Sequence, residues 1–63
     1  MNYVVAMLKQ NRNDLDSKIL ENNVYLQENP FLAGEQKKTY ENTNRIYKNR
    51  ISQIDEALKK IES

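Results

Sequence analysis

The chain has 63 residues, no Cys and no His, so it makes one small domain with no disulfide, thiolate metal site or imidazole base. Ten basic residues against nine acidic ones leave a net charge of +1, too even a balance for a non-specific nucleic-acid binder. No apolar run approaches the roughly 18 residues of a membrane span, and the apolar patch over residues 1–8 lacks the flanks of a signal peptide.

The first predicted element is a helix over residues 2–29. Its apolar residues fall on a seven-residue grid, with Val5, Arg12, Ile19 and Leu26 in column a and Leu8, Leu15 and Asn22 in column d. Asn2 is placed to cap it through its side-chain oxygen. A turn is predicted at 30–34, which contains the only Pro and the only Gly of the sequence. Pro30 ends the first helix because it disfavours the α region at Asn29, and Gly34 is read as a positive-φ residue ahead of the second helix. That helix, predicted over 35–62, repeats the grid with Lys37, Asn44, Ile51 and Leu58 in column a and Tyr40, Tyr47, Ile54 and Ile61 in column d. Glu35 suits the positive end of its dipole, and Lys59 and Lys60 suit the negative end.

Folding the chain back at the turn matches these columns layer by layer. Val5 meets Ile61, Leu8 meets Leu58, Arg12 meets Ile54 and Leu15 meets Ile51. Ile19 then meets Tyr47, Asn22 meets Asn44 and Leu26 meets Tyr40. Every pair is centred on position 33, inside the turn. The expected fold is therefore all-α: an antiparallel, coiled-coil-like two-helix hairpin forming one domain over 1–63. Asn22 opposite Asn44 supports this register, because each amide can satisfy the other. So do the expected ion pairs Lys9–Asp55 and Asp16–Lys48, each worth about 0.2–1 kcal/mol. Lys18 facing Arg50 opposes it, and a slip of one heptad is the competing register.

Seven two-residue layers make a thin core, and chains of this length bury only about 60% of their unfolded surface. A partner is expected, and the sequence indicates a face for it. Columns b and f of the first helix carry Tyr3, Leu20, Val24 and Phe31 with polar neutral residues between them and no charge. The same columns of the second helix are charged and read as solvated. Two occupants fit the neutral face. One is a second copy docking first helix to first helix as a homodimeric four-helix bundle. The other is a larger protein whose groove receives Tyr3, Leu20, Val24 and Phe31 as an amphipathic helix.

Nothing in the sequence points to catalysis, a cofactor, a metal or a small-molecule substrate. Ser17, Ser52 and Ser63 have no imidazole to activate them. Asp14, Glu21 and Glu28 form an acidic stripe of the kind that faces solvent. The expected function is non-enzymatic protein binding, by a small regulator, inhibitor or assembly accessory in the cytoplasm. Abundant Asn, with Lys, Ile and Tyr, suggests an AT-rich coding sequence such as that of a low-GC bacterium or its phage; for a phage protein, the cytoplasm is the host's. The alternative is RNA or DNA binding through Lys38, Arg45 and Lys59 on one column and Lys18 and Arg50 on another.

In length and topology the chain is similar to the plasmid repressor-of-primer family. That resemblance, of outline and without a shared motif, implies a dimeric four-helix bundle that binds RNA loop pairs. Asn29-Pro30-Phe31 is also the tripeptide read by EH domains. The favoured role for Phe31 and Leu32 is nevertheless to plug the end of the helix pair.

Overall fold

The computed structural model describes residues 2–62 as two helices, α1 (Tyr3–Glu28) and α2 (Gly34–Glu62), packed against each other. Met1 and Ser63, the ends of the expected domain, lie outside the described residues. Asn2 caps α1 as its sequence position suggests: its backbone is extended, and its Oδ1 accepts a hydrogen bond from the Val4 amide at 3.0 Å.

At the other end of α1, the Asn29 side chain donates to the Tyr25 carbonyl at 2.8 Å. This satisfies one of the carbonyls that the last turn leaves open. The Asn29 backbone has already left the α region (φ −127°, ψ 66°), as a residue before proline must. The Leu32 amide then closes back on the Asn29 carbonyl at 3.3 Å. Pro30 occupies the second position of that turn, and no residue in it has a positive φ, which excludes a type II turn.

Gly34 departs from expectation. It has no positive φ and is the first residue of α2. The Ala33 carbonyl accepts from the Lys37 amide at 3.0 Å, so Ala33 stands at the cap position with no side-chain oxygen to offer. The chain reverses within the Asn29–Leu32 turn, and this leaves Gly34 no left-handed conformation to supply.

The heptad columns do form the seam. Val5, Leu8, Leu15, Ile19 and Leu26 are half-buried against Tyr40, Tyr47, Ile51 and Ile54, and Leu58 is buried. Arg12, Lys37 and Ile61 remain exposed in the same columns. The Asn layer falls where the pairing puts it, with Asn22 Nδ2 donating to Asn44 Oδ1 at 2.9 Å. It also recruits a third amide, since Asn44 Nδ2 donates to Asn23 Oδ1 at 3.0 Å. Asn44 is only 7% exposed. The chain of three amides satisfies both ends of its side chain, as burial requires. One turn nearer the reversal, the Tyr25 and Tyr40 rings meet at 4.9 Å, tilted by 34°.

The expected ion pairs are corrected. Arg12, expected to face Ile54, swings out of its column and bonds Asp55 at 2.8 Å, while Lys9 pairs with Glu62 at 3.3 Å. No ion pair joins Asp16 to Lys48 among the described residues. Side chains on a helix lean toward its N-terminus. Cations on α1 therefore reach past the residue directly opposite, toward the C-terminal end of α2. All four paired groups are about half exposed, so each bridge contributes at most about 1 kcal/mol.

The result is a rod of 47 × 15 × 12 Å with a radius of gyration of 14.6 Å. A compact chain of this length would have a radius of about 11 Å.

Candidate functional site

The hairpin has three surfaces of different character. The first is the outer face of α1. Its helical spacing turns columns b and f away from α2, so Tyr3, Leu20 and Val24 are 75%, 64% and 42% exposed. Leu20 and Val24 lie one turn apart and form a continuous apolar spot. Tyr3 does not join them, since 17 residues of helix put it about 25 Å away. Its neighbours are Met7 and Val4, also exposed. Phe31 sits at the turn and is 97% exposed.

The expected plug is therefore Leu32 alone. Leu32 is half-buried and closes over Tyr25, Thr39 and Tyr40 around a cavity of about 240 Å³. Phe31 points away because consecutive turn residues cannot both face the helix pair. The four residues of the expected binding face thus share exposure, but only Leu20 and Val24 form a unit.

The second surface is the groove on the side where Lys18 and Arg50 face each other. It is an open concavity of about 550 Å³, floored by Leu15 and Ile54 and rimmed by Asp14, Lys18, Arg50 and Gln53. Lys18 is held over the Tyr47 ring, with Nζ 5.8 Å from the centroid. This cation–π contact is worth about 0.5–1 kcal/mol at an exposed site. Asp14 accepts from Gln10 Nε2 at 3.0 Å. Five exposed apolar side chains, Val4, Met7, Tyr25, Ile46 and Ile61, each stand one heptad along the helix from a residue that lines this groove. Reading the outer columns of each helix separately does not find them. The available signal is the apolar residues that columns c and g carry among their charged ones, Val4, Met7 and Tyr25 on the first helix and Ile46 on the second.

The third surface, on the opposite side of the pair, holds both ion pairs. There Arg45 borders a shallow hollow beside Asn23, Glu41 and Lys48. The five cations considered for nucleic acid are consequently split. Lys18 and Arg50 share one groove, whereas Lys38, Arg45 and Lys59 run along the far side of α2. Their column extends over about 30 Å at helical rise.

Among the described residues, no three acidic side chains converge to hold a metal ion, so Asp14, Glu21 and Glu28 remain a stripe along α1. No helix among the described residues is long and apolar enough to cross a membrane. The chain matches no family model, no curated protein and no solved structure.

Proposed function

We propose that the chain is a non-enzymatic protein-binding module that acts through the uncharged outer face of α1. In this reading it works as a homodimeric four-helix bundle, serving as a small regulator, inhibitor or assembly accessory. Its setting is the cytoplasm of a low-GC bacterium, or of the host cell if a phage encodes it. The observation that carries the proposal is the exposure of Leu20 and Val24 on a helix face without a single charge. A solvated helix normally fills such positions with Lys, Glu or Arg, as α2 does at Lys38, Arg45, Glu56 and Lys59. In the partner's groove, Leu20 and Val24 are the anchors. Tyr3 at one end and Phe31 at the other supply secondary contacts.

The test compares baits in lysate of a candidate host. A partner held by the wild-type chain and by Lys38→Glu, but lost with Leu20→Glu and with Val24→Glu, supports the reading. Identical capture by all four baits refutes the face. A second reading, RNA or DNA binding, draws on Lys18 and Arg50 sharing one groove. Salt-sensitive RNA binding that is lost on Arg45→Glu or Arg50→Glu, together with no effect of Leu20→Glu, favours that reading.

A further inference from the structure

The groove between Lys18 and Arg50 is a separate surface from the outer face of α1, and its pattern indicates what covers it. Each exposed apolar residue beside it lies one heptad from a residue that lines it. Val4 precedes Asn11, Met7 precedes Asp14 and Ile46 precedes Gln53, while Tyr25 follows Lys18 and Ile61 follows Ile54. Residues one heptad apart share a helix face. The groove side is therefore a strip along both helices, with Asp14, Lys18 and Arg50 at its centre and these apolar residues toward its ends. Glu21 and Glu28 continue the Asp14 column, and Lys60 the Gln53 column, along its outer edges.

From this pattern we infer that the groove is covered by the groove of a second copy of the chain, with the two α1 helices antiparallel. The inference rests on the proposed four-helix dimer and places its interface on the groove, leaving Leu20 and Val24 free for another protein.

Self-complementarity supports the assignment. A two-fold interface requires that, if one residue meets a second, the second also meets the first. Asp14 and Lys18 lie one helical turn apart, on either side of the midpoint of α1. A two-fold axis across that midpoint sets each Lys18 beside Asp14 of the second copy, twice per dimer. The same axis brings Met7 to Tyr25 of the second copy, a sulfur–aromatic contact. It also brings Thr43 to Ala57 of the second copy. With the α1 helices parallel, the groove-to-groove pair would instead set α1 against α2 of the second copy and bring Lys18 beside Arg50, two cations.

Surface area supports it as well. The chain exposes 5251 Å², whereas a compact monomer of its mass exposes about 4,250 Å². The excess, about 1,000 Å², compares with the roughly 800 Å² per partner that a standard interface buries. The opposite side of the hairpin, where the Lys9–Glu62 and Arg12–Asp55 pairs lie, offers no comparable apolar strip. One like-charge contact remains, since Arg50 falls near the axis and faces its own copy.

Sedimentation equilibrium on the full chain tests the inference. The wild type is expected to be a dimer. Asp14→Lys and Lys18→Asp should each weaken it about tenfold or more, and the double exchange should restore it to within a few-fold. Arg50→Leu should tighten it, a gain that misfolding cannot imitate. A folded, strictly monomeric wild type would mean that another protein covers the groove, and would overturn the inference. So would a double exchange that stays weak, an Arg50→Leu variant that dissociates more readily, or a dimer split by Leu20→Glu. The outer-face reading is judged separately, by loss of the captured protein on Leu20→Glu while the dimer persists.

Discussion

Asn22 and Asn44 share a hydrogen bond of 2.9 Å across the helix pair, and this one contact locks the alignment of the two heptad grids. Asn44 is buried and donates its own side-chain N–H to Asn23 Oδ1. A slip of either helix by one heptad would separate the amides and set one of them against an apolar residue, Asn44 against Leu15 in one direction or Asn22 against Ile51 in the other. Unsatisfied buried amides cost about 1–3 kcal/mol each, a large fraction of what a seam this thin can supply.

Replacing Asn44 with Leu should therefore destabilise the hairpin, because Asn22 and Asn23 lose their common partner. The expected loss is about 1–2 kcal/mol, read as a lower urea midpoint. Changing Asn22 to Leu in the same chain should recover the loss, since two apolar groups then share the layer. If the double variant is no more stable than the single, the amide chain does not set the energetics of this layer.

Gly34 gives a prediction of opposite sign. It lies in the first turn of α2 without a positive φ, and a Cβ added there would meet nothing within 4 Å. Gly34→Ala should then stabilise the fold by about 0.4–1 kcal/mol, chiefly by restricting the unfolded chain. Ala33→Asp should add about 1 kcal/mol by supplying the missing cap. Destabilisation by Gly34→Ala would show that the chain reverses through a left-handed glycine after all.

The two residues after Pro30 should respond differently to substitution. Leu32 is half-buried over Tyr25 and Tyr40, whereas Phe31 is almost wholly exposed. Leu32→Ser should cost about 1–2 kcal/mol, in line with partial burial of a leucine. Phe31→Ser should change stability by no more than about 0.5 kcal/mol, as surface substitutions do. Thermal melts followed by circular dichroism make the comparison, and equal losses would mean that both side chains plug the hairpin.

The ion pairs are predicted to matter little. Asp55→Asn removes the 2.8 Å contact with Arg12, and should cost at most about 1 kcal/mol in low salt, and less as salt is added. A loss of several kcal/mol that salt leaves unchanged would place Arg12 in the seam instead of at its edge.

Much of this architecture was legible in the sequence because a helical hairpin repeats one rule. Apolar residues at heptad spacing bury together, so Val5 through Leu26 and Tyr40 through Leu58 identify both helices and their common seam. The lone Pro marks the reversal, and the matched Asn residues mark the register. The side-chain pairings were less legible. Lys9 with Asp55 follows from columns drawn on a flat grid, whereas real side chains lean along the helix and carry Lys9 on to Glu62. By its column Arg12 belongs to the seam. Its length lets it leave the seam for Asp55, which no column diagram represents.

The sequence by itself determined two helices, a turn at Pro30, one buried stripe on each helix, and an uncharged face on the first. These are local or periodic properties, set by the residue sequence along one axis. Only the tertiary structure decided that Leu32 and not Phe31 closes the turn, that Gly34 is helical, and that Asn23 joins the amide layer. It also decided that Lys18 and Arg50 line a single groove with Asp14 and Gln53. Each of these depends on how far one helix is rotated and offset against the other, a relation between two segments that neither carries alone.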